Sequence, residues 1–266
     1  MKTLKIARYP IRFPGTPADA HPPCSMAVLA DLHNAQLGPR NEILINAIDS
    51  VQPVAVLSAG DLVLRRSSGH PADNALELLD ALATRYPVYC VNGNHETRMS
   101  EFPDVYGDDY CQYERGLEEA GVCLLRNASR EVTLGGRRFV FHGLELGRRY
   151  YRRGPAPRLP VEEIQTLLGP AREGACNILL AHNPEYFPVY AQWGADLTLS
   201  GHLHGGMIRL PRLGGVIAPS LMPFPRYDHG LYEREGRQMV VSAGLASHTI
   251  NIRINNPPEL VVLDIL

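Results

Sequence analysis

The chain lacks any run approaching the ~18–20 consecutive apolar residues that a membrane-crossing helix needs, although 45% of its 266 residues are hydrophobic. Its first stretch, Met1 to Pro10, alternates polar and apolar residues and has none of the continuous apolar character of a secretory leader. Cysteine is sparse: Cys24, Cys90, Cys111, Cys123 and Cys176 give an odd count with no Cys-x-x-Cys pair. That pattern fits neither a disulfide framework nor a thiolate zinc site, and it reads as idle thiols in a reducing compartment. A soluble, cytoplasmic protein without a transmembrane segment is therefore expected. An excess of basic charge is also missing. The net charge is −2, whereas a dedicated nucleic-acid module is usually clearly basic. There is no internal repeat and no low-complexity segment. The length is enough for a large core, and one domain over 1–266 is expected.

What the chain does have is a series of short apolar runs, each ending in a polar cluster. Met26 to Ala30 leads into Asp31-Leu32-His33, Val54 to Leu57 into Gly60-Asp61, and Val88 to Val91 into Gly93-Asn94-His95-Glu96. Between them, Asn41 to Val51 and Ala75 to Ala83 carry apolar residues at helical spacing. Strand, helix, strand, helix, strand is the α/β arrangement in which ligands gather at the carboxyl ends of strands. The second half is richer in strands. Glu131 to Leu134 and Arg138 to Leu144 flank Gly135-Gly136, a hairpin signal. Val161 to Leu168 reads as a short helix, and Asn177 to Ala181 as a strand ending at His182. Further strands are expected at Met207 to Leu210, Gly230 to Glu233, Met239 to Ser242 and Leu260 to Ile265. Near the N-terminus, Leu4 to Ile11 reads as one or two strands broken at Pro10, before a proline-rich connector at Pro14 to Pro23. The expected architecture is two packed β-sheets with helices outside.

The most informative stretch is Ser200-Gly201-His202-Leu203-His204-Gly205-Gly206. In extended backbone, residues two apart point to the same side, and neutral imidazole is the commonest ligand for a transition metal. Alone, a His-x-His is weak. Here it joins Asp31, His33, Asp61, Asn94, His95 and His182 from other run ends. Carboxylate, imidazole and amide oxygen together suit borderline divalent ions such as Mn, Fe, Zn or Co. Two such ions can clamp both oxygens of an in-line displacement at phosphorus.

Asp31-x-His33, Gly60-Asp61, Gly93-Asn94-His95-Glu96, His182 and Gly201-His202-x-His204, in this order, resemble the calcineurin-like (binuclear) metallophosphoesterase superfamily. The run Leu180-Ala181-His182-Asn183-Pro184, together with Gly201 to Gly206 and the closing segment Gly244 to Glu259, is similar to a bacterial phosphodiesterase branch. That branch includes membrane-attached enzymes and a UDP-diacylglucosamine pyrophosphohydrolase. The resemblance implies an α/β (α+β) fold, a two-sheet sandwich flanked by helices in four layers. It implies two divalent metal ions, one held by Asp31, His33 and His204, the other by Asn94, His182 and His202, with Asp61 between them. It makes His95 the catalytic acid beside the leaving group rather than a ligand, and a hydroxide held between the metals the nucleophile. Glu96 is read as a support. Two departures stand out. Leu64 occupies the place where the protein phosphatases of the superfamily carry a second Asp, which leaves open what orients His95, and Met207 stands where the branch usually has Gln.

The expected activity is thus a metal-dependent phosphoric ester hydrolase, a phosphodiesterase by preference. A UDP-diacylglucosamine-type pyrophosphohydrolase or a broad phosphomonoesterase are the alternatives. A phosphate-ester small molecule or nucleotide-type compound is the expected substrate, and peripheral contact with a membrane stays open. A non-catalytic binding module on the same fold is the rival from another class; such proteins tend to lose ligands, and none is missing here. A nuclease is disfavoured by the acidic balance. The run Arg148-Arg149-Tyr150-Tyr151-Arg152-Arg153 is a candidate contact for substrate phosphates, since guanidinium binds them in a bidentate way; the plainer alternative is a solvated charged loop. His21, His70, His142 and His229 match no block and read as structural, while His248, in the closing segment, is a further candidate substrate contact.

Overall fold

The computed structural model describes residues 3–13, 21–64, 71–152, 154, 157–206, 208–210, 214–217, 224–246 and 253–266. The first sheet takes β1 (Lys5–Ile11), β2 (Cys24–Leu29), β3 (Ala55–Ser58), β4 (Val88–Cys90) and β5 (Cys123–Leu124). The second takes β6 (Ala128–Leu134), β7 (Arg137–Leu144), β8 (Cys176–Ala181) and β9 (Leu197–Ser200). A separate hairpin, β10 (Ile208–Leu210) and β11 (Gly214–Ile217), follows; β12 (Gly230–Arg234) and β13 (Arg237–Val241) then complete the second sheet. Finally β14 (Glu259–Ile265) returns to the first. Among the described residues the strand orders are β1-β14-β2-β3-β4-β5 and β12-β13-β9-β8-β7-β6. Strands β2 to β5 run parallel, as do β7, β8, β9 and β13, so each sheet presents a row of carboxyl ends.

Each central strand is buried on both faces, which explains the continuous apolar runs. On β2, Ala27 and Leu29 face an outer cluster with Leu44 and Ile48 of α1 (Glu42–Val51) and Leu78 and Leu79 of α2 (Asp73–Ala83). Met26 and Val28 face inward, where they meet Ile178, Leu180, Leu197 and Leu199 of the opposite sheet. Three short helices follow β4: α3 (Asn94–Glu101), α4 (Pro103–Tyr106) and α5 (Asp109–Glu119). Beyond the second sheet, Leu179 and Ala181 pack on Ile164 of α6 (Val161–Leu168) and on Tyr190 and Trp193 of α7 (Phe187–Trp193). Helices, sheet, sheet, helices is the four-layer sandwich expected from the sequence.

Some elements differ from expectation. β1 is a single strand that passes through Pro10, because it lies at the sheet edge and pairs on one side only, with β14; there the missing N–H costs no ladder bond. Asn94 and His95, expected at a strand end, open α3. The Gly135-Gly136 turn is as expected, with φ of 56° and 76°, the sign that a two-residue hairpin requires. The segment over Arg148–Tyr151 is one turn of 3₁₀ helix.

The return of β14 is fixed by Glu259, which is 1% exposed. It accepts from His229 Nε2 at 2.8 Å, Lys5 Nζ at 3.2 Å and the Ala243 N–H at 3.4 Å, with Arg253 and Tyr9 also in its field. Burial pushes its carboxyl up, but the bond from His229 and the positive charges around it outweigh burial and hold it below the usual value. A lowered carboxylate contributes stability above its unfolded-state value, and that stability is lost as the pH falls through the folded-state value. Glu259→Gln is therefore expected to cost about 1.5–3 kcal/mol at neutral pH, the worth of hydrogen bonds to a charged group. The two proteins should converge in acid, as urea denaturation across the pH range would show.

Candidate metal centre

The site forms where the carboxyl ends of both sheets meet. Backbone bonds set the loops: Asp31 N–H donates to Gly60 O at 3.0 Å, His33 N–H to Asp61 O at 3.0 Å, and Gly201 N–H to His182 O at 3.1 Å. The loops turn sharply. Asp31, His33, Asp61, His202 and His204 all have φ between 48° and 70°, a region that costs residues other than glycine free energy and concentrates at functional sites. Two glycines make room. A Cβ on Gly93 would lie 2.3 Å from Asp61 Oδ1, and one on Gly201 would lie 2.4 Å from Asp31 Oδ2.

The side chains converge away from water. Asp31, Asp61, His33, His95, His182 and His204 are each no more than 4% exposed, and His202 is half-buried. His204 Nε2 lies 3.2 Å from His33 Nε2 and 3.4 Å from Asp31 Oδ1. His182 Nε2 lies 3.1 Å from Asp61 Oδ2, and His95 Nε2 4.0 Å from the same oxygen. Potential ligand atoms fall into the groups Asp31/His33/His204, Asp61/His182/His202 and His33/Asp61/His95, each within 4.8 Å. The last group shows that His95 shares the cluster rather than standing apart from it.

Whether these donors fit metal ions is answered by their hydrogen bonds. The Nδ1 of His182 lies 2.8 Å from Ala59 O, and that of His204 3.0 Å from Ala246 O. A carbonyl only accepts, so these nitrogens carry the proton and the Nε2 lone pairs face the cluster, the arrangement metal-binding imidazoles adopt. Asn94 Oδ1 is buried with no hydrogen-bond partner among the described residues, a costly state that a cation would relieve. The donor set fits.

Electrostatics point the same way. Burial, with Asp61 close by, pushes the Asp31 carboxyl up to about 7 against the opposing pull of His182. Burial also acts on Asp61, but His182, His95 and His33 hold it well below the usual carboxylate range. Burial would lower His182, yet Asp61 and Asp31 push it up to about 9. Without cations, protons balance this cluster; metal ions displace such protons when they bind.

Other residues hold the site without being ligands: Glu96, expected as a support, does so from its motif, while Arg253 and Asn256 lie in the closing segment with no role assigned from the sequence. Glu96 has one oxygen on the N–H groups of Leu62 and Val63, and the other on those of Asp61 and Gly93. Burial and the neighbouring Asp61 charge push its carboxyl up to about 8, against the N–H groups facing it, which favour the ionised form. Asn256 donates to His204 O at 2.6 Å and Gly206 O at 2.7 Å. Arg253 donates to Ala243 O, Gly244 O and Ala246 O, the last being the carbonyl that His204 also uses. Leu64 leads away from the site, its N–H donating to Pro71 O.

In the arginine run, Arg148 and Arg149 are occupied. Arg148 lies 4.6 Å over the Phe102 ring and 3.8 Å from Glu101; Arg149 pairs with Glu163 and donates to Tyr150 OH. Arg152 is exposed. Tyr151 reaches the site instead, with its ring 5.2 Å from His202 and 6.1 Å from His182. Arg153 and His248 lie outside the described residues. His142 and His229 are engaged elsewhere, with Ser129 and Asn177 in one case and Glu259 in the other.

The family model of the calcineurin-like phosphoesterases matches residues 25–206, and the chain belongs to that family. Its curated relatives include the phosphodiesterase YaeI of Escherichia coli, 28% identical over 249 residues, covering 92% of this chain and 83% of that one. A second is the metallophosphoesterase YkoQ of Bacillus subtilis, 24% identical over 239 residues, 87% of this chain and 80% of that one. Among solved structures, a protein described as a 5′-nucleotidase of Staphylococcus aureus shares the fold at a TM-score of 0.53 and 12% identity. That match covers 90% of this chain and 54% of that one. The family is one of metal-dependent phosphoester hydrolases. No helix among the described residues is long and apolar enough to cross a membrane.

Glu96→Gln tests how the loops are held. Its amide nitrogen would face backbone N–H groups in place of an acceptor, so a loss of about 1–3 kcal/mol is expected, measured by chemical denaturation. A loss below 0.5 kcal/mol on that roughly 1–3 kcal/mol scale would show that the carboxylate does not brace the site.

Proposed function

We propose that the protein is a phosphodiesterase that works with two divalent metal ions. The observation that carries this reading is the buried convergence of two carboxylates and five imidazoles with a partnerless amide oxygen on Asn94. Asp31, His33 and His204 would hold one ion; Asn94, His182 and His202 the other; Asp61 would serve both. The mixed oxygen and nitrogen donors suit Mn, Fe, Zn or Co. Bound there, the ions would supply Lewis acidity toward phosphoryl oxygen and an activated water.

The chain's own residues then have separable tasks. The Gly93 and Gly201 gaps let the two carboxylates approach the backbone closely. His182 and His204, each tied to a carbonyl through Nδ1, keep their Nε2 lone pairs turned inward. His95 sits in the first turn of α3, its N–H held by Asp61 Oδ1 at 2.8 Å. In this reading its imidazole would give a proton to the departing oxygen. Tyr151 forms an apolar wall beside His202, and with the exposed Arg152 it is the part of the arginine run we assign to substrate. Diester over monoester is favoured by the likeness to the E. coli phosphodiesterase; pyrophosphate bonds of nucleotide sugars are the second substrate class to screen.

Hydrolysis of bis-(p-nitrophenyl) phosphate with added manganese separates this reading from a binding module, which would give no turnover. His95→Ala should retain bound metal by elemental analysis yet lose on the order of 10²–10⁴ in kcat, the usual share of a general acid. The loss should be smaller for esters with better leaving groups. Asp61→Asn should lose both metal and activity. A His95 variant that loses metal would make this residue a ligand.

A further inference from the structure

The parallel strands of the second sheet carry the Asp/His cluster at their carboxyl ends, at His182 and His202 to His204. At their opposite ends, where β7, β8 and β13 begin, lies a cavity of about 610 Å³. It is roughly 20 Å away, six residues along β8 at a rise of ~3.3 Å each. Four guanidiniums line it, from Arg137, Arg138, Arg172 and Arg237, against two carboxylates, Glu173 and Asp196. Asp196 is taken by Arg237 and by the Asn177 N–H. Arg138 lies 3.4 Å from Glu131 and donates to Glu173 O. Arg172 is exposed.

Arg137 is the residue that this arrangement leaves incomplete. It is 3% exposed, lies 5.9 Å over the Phe13 ring and donates through Nη2 to Leu266 O at 3.1 Å. Its Nη1 is buried with no hydrogen-bond partner among the described residues, so the oxygen of Leu266, the last residue of the sequence, satisfies only the other arm of the fork. A buried N–H donor left without an acceptor is costly. The cavity is within the ~300–1,000 Å³ range of small-molecule sites and much larger than one inorganic anion needs. Phe13, Ala171 and Ala175 give it an apolar wall.

We propose that this cavity is a second binding site, separate from the Asp/His cluster, for a small organic anion. Its phosphate or carboxylate group lies against Arg137 and Arg172, because the guanidinium fork matches both oxyanions. Its carbon body lies against Phe13 and the two alanines. Glu173, at the rim, favours a hydroxyl or amine on the outer end.

Trp193 is the chain's single tryptophan. It precedes cavity-lining Gly194 and packs edge-on against His142, whose Nε2 meets cavity-lining Asn177. Its fluorescence is the readout, with glycerol 3-phosphate and succinate as probes. A saturable change is expected with at least one, and which one responds distinguishes phosphate from carboxylate. Arg172→Glu, at an exposed position, and Arg137→Met should each weaken the response about tenfold or more, and His202→Ala should leave it unchanged. If Arg137→Met fails to fold, Arg172→Glu decides. No saturable response to either probe by about 10 mM would overturn the proposal. So would unchanged affinity in Arg172→Glu, or a response lost in His202→Ala, which would place the anion at the Asp/His cluster.

Discussion

Two carboxylates, Asp31 and Asp61, are held almost out of contact with water beside five imidazoles, and the surrounding structure is arranged to tolerate them. Charges of one sign packed this closely raise each other's proton affinity, and burial raises it further. Hence Asp31 is pushed up while Asp61, encircled by imidazoles, is held down. Such a cluster is stable only with positive charge inside it, whether protons on His182 or metal ions. Its cost is spread over the loops. The left-handed backbone at five of its members, the glycine gaps and the Glu96 brace each keep charged groups where relaxation would separate them.

The sandwich supplies the rigidity this needs. Strands buried on both faces cannot slide without exposing alternate apolar residues, so the carboxyl ends of β2, β3, β4, β8 and β9 stay in register with one another. The loop after β13 completes the site from behind, through Arg253, Asn256 and the Ala246 carbonyl. Glu259 ties the start of β14 to that same loop. The two outer helical layers cover the sheets and leave the strand ends open.

Much of this was legible in the sequence because apolar runs ending in Asp31-x-His33, Gly60-Asp61, Gly93-Asn94-His95 and His202-x-His204 mark both the strands and their ends. The sandwich, the helices at Glu42–Val51 and Asp73–Ala83, and the Gly135-Gly136 hairpin follow from periodicity and turn chemistry. α5 did not show, since Tyr110, Tyr113 and Leu117 are spaced correctly but sit in a strongly polar segment containing Gly116. The left-handed φ values at Asp31, His33 and Asp61 are only weakly signalled by residue type, since Asp and His enter that region more often than most residues but tertiary bonds such as Asp31 N–H to Gly60 O fix it here. The arginine run shows a different limit: composition located Arg148 and Arg149 but not the partners Glu101 and Glu163 that occupy them. Nor could sequence reveal that Arg137 would be buried with its Nη1 unpartnered among the described residues.

The proposal on which the functional reading depends is that the Asp/His cluster would hold two divalent ions, with Asp61 between them. Anomalous diffraction from crystals grown with manganese tests it directly. Two peaks are expected, one contacted by Asp31, His33 and His204 and the other by Asn94, His182 and His202, with Asp61 touching both. A single peak in fully active protein, or peaks away from these side chains, would contradict it.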